Sequence, residues 1–478
     1  MRWTRPHSFE YNLVVIGAGS AGLVSVYIAA AAKARVAIIE SNQLGGDCLN
    51  TGCVPSKALI HSAKVLKDAA EAGNLGLRGQ LTADFPEIMA RVQRAIARVA
   101  PHDSAERYRG LGVDVLMGSA RIVDPWTVEV GDRRLVSRNI VVATGAEPMM
   151  PAIPGLEEVD PLTSETVWSL TKQPGTFLIV GGGAVGCELA QSFARLGSRT
   201  ILLEVASRLV LREDAEVSEA VRHALLAEGV EVKTGVAIER FKKANGQFLV
   251  HLADGSSISF DKVLVATGRR PRTRGFGLEE LGLLDGERLV VDRKLRTRLP
   301  NILAAGDVLG EFQFTHAASH YAWFASVNAL FGALKLWKAD FRVFPSVIYT
   351  DPEVARVGLT EQDARQQNIP YEVVRFDLAE LDRAIVDGAN AGFIKVLTVP
   401  GKDRILGAVI VGARAGDMLA EFTLAMKHGL GLRAILQTIH PYPGWTEANK
   451  AIAGEWQKAH TPAWALAMSK RWLQWLRA

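Results

Sequence analysis

The sequence predicts an α/β fold built on two parallel-stranded units of one design. Three observations predict it. "YNLVVIGAGSAGLVSVYIAAAAKARVAIIE" (residues 11–40) reads as a buried strand, a glycine-rich turn, an Ala-rich helix and a second strand. "TFLIVGGGAVGCELAQSFARLGSRTILLE" (176–204) repeats that order. Each copy is followed downstream by an apolar strand running into Ala-Thr-Gly, in "IVVATGAEP" and again in "VLVATGRRP". Short apolar runs bounded by glycine suit strands buried on both faces of a parallel sheet.

Length and composition set the scale. A chain of 478 residues, 48% hydrophobic and 22% charged with 44 glycines, has room for roughly three domains and many tight turns. Its 55 Lys and Arg against 51 Asp and Glu leave a net charge of +4, too balanced to imply nucleic acid. Three cysteines make no disulfide framework, so a reducing compartment and a cytoplasmic location are expected. The opening "MRWTRPHSFEYNLVVIGAGSAG" carries no apolar run with a small-residue cleavage site. No window reaches the roughly 18 apolar residues of a membrane span, so no transmembrane segment is expected. In the last stretch, Trp464, Met468, Trp472 and Trp475 share one helical face, with Lys470, Arg471 and Arg477 mostly elsewhere. Such a helix packs against the body of the protein or a partner subunit, or lies on a membrane surface.

The first turn is Gly17-x-Gly19-x-x-Gly22, and Glu40 closes the second strand. The first glycine makes the turn, the second lets a pyrophosphate approach the backbone, and the third lets helix pack on strand. Phosphate then meets the unpaired N–H groups and dipole of the helix N-terminus, and Glu40 is placed to accept from ribose hydroxyls. This makes the unit a Rossmann-like dinucleotide-binding unit. In the second unit Gly181, Gly183 and Gly186 form the turn and Glu204 ends the strand. An acid there bonds a free 2′-hydroxyl and repels a 2′-phosphate, which favours NADH over NADPH. Val205 and Ala206 follow in place of arginines, although Arg208 and Arg212 lie nearby. Two units suggest one tightly held dinucleotide and one exchangeable partner. Thr144 and Gly145, then Thr267, Gly268 and Arg269, and finally Asp307 of "NILAAGDV" sit on the segments that return the chain to them.

Between the units lies "GGDCLNTGCVPSK" (45–57), with two of the three cysteines. The order of these motifs resembles the two-dinucleotide flavoprotein disulfide reductases, a family that includes dihydrolipoamide dehydrogenase, glutathione reductase and mercuric reductase. The resemblance covers about residues 9–455. It implies two Rossmann-like domains plus a C-terminal α+β interface domain. The implied boundaries are an FAD-binding domain at 9–153, an NAD(P)-binding domain at 154–271, a central segment at 272–341 completing the FAD site, a dimerisation domain at 342–461 and a Trp-rich helix at 462–478. FAD contacts are implied at Gly17, Gly19, Gly22, Glu40, Lys57, Ala120, Thr144, Gly145, Arg269, Asp307 and Thr315, and NAD contacts at Gly181, Gly183, Gly186, Glu204 and Gly268. No resident metal is implied. Members are normally homodimers whose sites borrow residues from the partner subunit. By resemblance, hydride passes from NADH to flavin and on to a Cys48–Cys53 disulfide, with Cys53 against the flavin and Cys48 exchanging with substrate. A helix N-terminus after the cysteines would favour the thiolate. Lys57 matches the lysine near the reactive edge of the flavin, and Glu188 its acidic partner. Cys187, alone in the second helix, reads as inert core.

The pattern breaks at "IHPYPGWTEANK". Disulfide-reducing relatives carry His-Pro-Thr-x-x-Glu here, the histidine acting as acid–base and the Glu orienting it. Tyr442 lies five residues before Glu447 and so takes the histidine's place, with Gly444 in that of the threonine. Tyrosine near 10 and histidine near 6.5 differ by roughly 3.5 units, or nearly 5 kcal/mol in proton affinity, so tyrosine is a poor base. It remains a good hydrogen-bond donor. His440 is an alternative reached by a local register change, although seven residues separate it from Glu447. The third alternative is that neither acts. Mercuric reductases place tyrosine at this position and another near Tyr108. They also end in a cysteine pair, and this chain has no cysteine after Cys187. Three functions are therefore expected in order: a mercuric-reductase-like FAD enzyme reducing a metal ion or other small acceptor, a dihydrolipoamide-dehydrogenase-like enzyme, and a flavin-binding redox sensor or docking module.

Overall fold

The computed structural model describes residues 3–244 and 246–477. The chain forms two compact units. One is the chain through Gly181 with Ser192–Leu203 and Ala237–Asp340; the other is Gly182–Gln191, Glu204–Val236 and the chain from Phe341.

The first unit is built on parallel pairing. β1 (Tyr11–Ile16) is followed by α1 (Ser20–Ala31), β2 (Val36–Glu40), α2 (Gly46–Asn50), α3 (Cys53–Glu71) and β3 (Val113–Met117). β1 pairs in parallel with β2, and β2 with β3. β4 (Arg133–Val142) closes the far side of β1, also in parallel, while its first residues turn back onto the antiparallel strand Thr127–Val130. β1 is buried at every residue but Asn12, as a strand covered on both faces requires. A second parallel set follows the same scheme: β5 (Thr176–Val180), α4 (Ala184–Arg195), β6 (Arg199–Glu204) and β7 (Lys262–Val265), with β5 pairing both β6 and β7. β8 (Ile302–Ala304) returns to β4, and α5 (Thr315–Phe331) then lies against α1. The apolar side chains of 278–308 complete the core of the first sheet, which is why the central segment comes back to it.

The second unit carries a five-stranded antiparallel sheet. β9 (Pro345–Ile348), β10 (Glu353–Gly358), β11 (Glu372–Asp377), β12 (Phe393–Thr398) and β13 (Ile405–Gly412) run in the spatial order β9-β10-β13-β12-β11. α6 (Ala415–Lys427) and α7 (Glu447–Ala459) cover it, with Phe422, Ile452 and Trp456 fully buried among its aliphatic residues. Lys395 on β12 is 2% exposed and lies 2.7 Å from Asp214, 2.5 Å from Glu216 and 2.9 Å from Glu361. A buried ammonium persists only with such partners. α8 (Ala463–Trp475) differs from all of these, because it has no buried residue. The expected packing of its Trp-lined face on the body of its own chain is not formed; α7 has already closed that core with Trp456. Ala478, the end of the expected helix, lies outside the described residues.

Candidate active site

The cysteines sit where glycine lets the chain break direction. Gly45 (φ 90°) and Gly46 (φ 56°) take left-handed conformations on entry to α2, which carries Cys48. At Gly52 an added Cβ would stand 2.9 Å from the Asp47 carbonyl oxygen, so only glycine allows α2 to give way to α3 there. Cys53 is the first residue of α3, where the helix dipole favours negative sulfur. No disulfide joins them here; Cys48 is half-buried and Cys53 exposed. Thr315, at the start of α5, brings its Oγ1 to 3.4 Å from Cys53 Sγ. The Cys48 thiol is pushed up by its hydrogen bond with Cys53 first and burial second, with Thr315 working the other way.

Sequence reasoning passed over Asp47. Arg269 donates to its carboxylate through Nη2, and also to the Ala146 carbonyl at 2.8 Å. Arg269 is held there because Ala146–Pro148 and Arg269–Pro271 form a short antiparallel ladder. The arginine therefore anchors the residue next to Cys48. No motif signals this, since the two partners are 222 positions apart. Asp307, in the turn after β8, is pushed up to about 6, by burial first, with Arg269 opposing and Asp47 and Cys53 adding.

The two glycine motifs share one geometry. Ala18 N–H donates to Glu40 Oε2 at 2.6 Å and Asn42 N–H to Oε1 at 2.9 Å. Gly182 N–H donates to Glu204 Oε2 at 2.6 Å and Ala206 N–H to Oε1 at 2.7 Å. Each acid fixes its own turn. A Cβ on Gly17 would meet the Ala143 carbonyl oxygen at 2.3 Å, and one on Gly181 the Ala266 carbonyl oxygen at 2.5 Å. In both cases the residue approached is the alanine of an Ala-Thr-Gly turn. Gly22 has Gly17 O only 1.8 Å from an added Cβ, the close packing its position requires. Gly19 caps α1 without any side-chain acceptor, leaving the first N–H groups of the helix for an anion. This cradle fits the pyrophosphate of FAD.

The remaining expected residues fall as follows. Lys57 lies one turn beyond Cys53 on α3. Thr144 Oγ1 donates to the Arg272 carbonyl at 2.6 Å, and the carbonyl of Gly145 accepts from Arg272 N–H. Gly268 accepts from Met149 N–H, and Ala120 is buried at the start of its strand. Gly183 accepts from Cys187 N–H, and Gly186 is buried inside α4. Glu188 is buried and accepts from Tyr349 N–H at 2.9 Å. Cys187 is fully buried, and burial pushes its thiol up. Tyr108 is buried too, which raises its hydroxyl to about 12. Arg208 is engaged with Leu211 O at 3.0 Å and Gln362 at 2.6 Å. Among the described residues no group of three or more His, Cys, Asp or Glu is placed to hold a metal ion.

At the departure from the family pattern, Tyr442 is 72% exposed and donates its hydroxyl to Asp382 at 2.9 Å. That bond, then the charge of Asp382, raises the hydroxyl above its ordinary value. Glu447 opens α7 and accepts from Gly444 N–H at 3.2 Å, so its hydrogen bond goes to the loop and not to the Tyr442 hydroxyl. His440 faces inward: Nε2 lies 2.9 Å from Glu421 and Nδ1 3.0 Å from Thr438 O. Asn449 donates to the same Glu421 at 2.8 Å. Sequence reasoning missed Asp382, which lies 60 positions from Tyr442.

Residues 11–322 match the family model of the pyridine nucleotide-disulphide oxidoreductases, and residues 344–453 match the dimerisation domain of that family. A dihydrolipoyl dehydrogenase of Chlamydia pneumoniae is 35% identical over 92% of this chain and 95% of its own length. A mercuric reductase of Streptomyces lividans is 36% identical over 93% of this chain and 95% of its own. A solved Cu(II) complex of the HOCl-induced flavoprotein disulfide reductase RclA from Escherichia coli superposes with a TM-score of 0.83 at 28% identity, covering 92% of this chain and 98% of that one.

Proposed function

Since this chain belongs to the pyridine nucleotide-disulphide oxidoreductase family, we propose that it draws electrons from NADH and delivers them through Cys48 and Cys53 to a metal ion. It is a flavin-dependent enzyme, which sets aside the sensor reading. FAD, when bound, supplies the two-electron step between nicotinamide and the cysteine pair. Gly17, Gly19, Gly22 and Glu40 hold its pyrophosphate and ribose. Lys57, one turn beyond Cys53 on α3, would place positive charge near its reactive edge, and Glu204 would select the dinucleotide with a free 2′-hydroxyl. The matched dimerisation domain supports a homodimer.

The observation that carries the metal-ion reading is the Tyr442–Asp382 hydrogen bond. Exchange with a dithiol or disulfide substrate needs a base near neutrality, and a tyrosine raised further by a carboxylate is a poor one. Reduction of a cation takes no proton from the substrate. An exposed carboxylate beside a phenol instead attracts positive charge and offers oxygen donors. For Cu(II), two ions each accept one electron while the two thiols lose two electrons and two protons and close to the disulfide. The mercuric reductases among the relatives and the Cu(II) complex of the structural neighbour support a metal acceptor. The missing thiols after Cys187 make Cu(II) the first ion to try and Hg(II) the second. The dihydrolipoyl dehydrogenases at similar identity support the lipoamide reading instead.

Flavin-loaded protein reduced anaerobically with NADH decides between them. Reoxidation by Cu(II) or Hg(II) and not by lipoamide is the expected result. Discharge by lipoamide alone would overturn the metal reading.

A further inference from the structure

We propose that α8 is a membrane-surface helix that lays its Trp-lined face into the headgroup region of a bilayer carrying anionic lipid. No residue of this helix is buried. Trp464, Met468, Trp472, Trp475 and Leu476 stand between 58% and 67% exposed. At about 100° per residue these five fall on one arc roughly 120° wide, and Leu466 and Leu473 extend it on one side. Three tryptophans on a single exposed face exceed what a surface helix of a folded domain leaves uncovered.

Charge identifies the occupant. Arg471 borders the arc beside Trp464, Arg477 borders its other margin beside Leu466, and Lys470 lies between them on the polar side. No acidic residue follows Glu455. Cations at both margins can extend to lipid phosphates while the indole rings sit at headgroup depth. A second copy of the same helix is a poor occupant. Apposed apolar faces would bring Arg471 and Arg477, at the margins of each copy, beside those of the other, with no carboxylate on either helix to offset them. An anionic bilayer answers both halves of the pattern.

The test uses full-length, flavin-loaded protein with vesicles of phosphatidylcholine alone or mixed with phosphatidylglycerol. Binding at least about tenfold stronger to the anionic vesicles, weakening as salt is raised, is expected. Brominated lipid should quench tryptophan emission of the unmodified protein. Trp472→Ser with Trp475→Ser should lower binding at least about tenfold. Lys470→Glu with Arg471→Glu should remove the preference for anionic lipid. Both variants should keep NADH-dependent flavin reduction and the sedimentation mass of the parent. The proposal is overturned if the parent ignores anionic vesicles, if the tryptophan pair can be removed without effect, or if its removal splits an oligomer, which would make this face a subunit contact.

Discussion

Tyr442 donates to Asp382 at 2.9 Å, so the residue that its spacing to Glu447 leads us to expect at an acid–base position is itself tied to an acid. A carboxylate acceptor stabilises the protonated phenol, and the hydroxyl is accordingly raised. Tyr442→His should therefore increase lipoamide turnover at least about tenfold, the full ~10²–10⁴ of a positioned base being the upper bound. Steady-state lipoamide reduction by NADH checks this, and no increase would mean that proton transfer is not what bars the substrate. Asp382→Asn should weaken Cu(II)-dependent NADH oxidation through a higher KM, because it removes the exposed carboxylate.

Cys48→Ser should bring acceptor reduction to background while NADH still reduces the flavin. Cys53 keeps its place at the start of α3 and its 3.4 Å contact with Thr315 in that variant. Stopped-flow absorbance at the flavin band separates the two half-reactions. Loss of both would contradict the division of labour between the thiols.

Glu204 accepts two backbone N–H groups, at 2.6 and 2.7 Å, and neighbouring Arg208 is engaged by Leu211 and Gln362. Glu204→Ala should raise the KM for NADH about tenfold, as loss of a charged hydrogen-bond acceptor costs about 1.5–3 kcal/mol. Its discrimination against NADPH should relax as well. Paired kcat/KM values for the two nucleotides measure both effects.

Asp307 holds its proton up to about pH 6, chiefly through burial. Its folded value thus lies above the unfolded one near 3.9. The stability it contributes is full below about pH 4 and is lost as pH rises through 6, at most about 3 kcal/mol for a shift of roughly two units. Asp307→Asn should raise the melting temperature of flavin-free protein at pH 8 more than at pH 5. The same variant should retain FAD less well, which dialysis and absorbance would show.

Lys395 is the reverse case. Against burial, its hydrogen bonds and charge hold Asp214 and Glu361 below the usual carboxylate range. Their contribution is present above about pH 4 and lost as pH falls through the folded values. Lys395→Met strands three carboxylates and should cost about 3–5 kcal/mol. Urea midpoints at pH 7 and pH 3 should show a lower value at pH 7 and a weaker decline toward acid than in the parent.

Much of this protein is written locally. The glycine spacing, the closing acids Glu40 and Glu204, and the apolar strands before them specify two Rossmann-like units, because each turn is decided by φ and by the space beside a missing Cβ. The cysteine pair is legible for the same reason: its glycines and the start of α3 lie within a few residues of the thiols. Tyr442 could be named as the departure from spacing alone. What it bonds to could not. Asp382 reaches Tyr442, Arg269 reaches Asp47 and Lys395 gathers three carboxylates only once the sheets have formed. Charge partners are chosen by distance in space, over separations of 34 to 222 positions, and no sequence period records such distances. The exposure of α8 was decided in the same way, by a core that α7 had already closed.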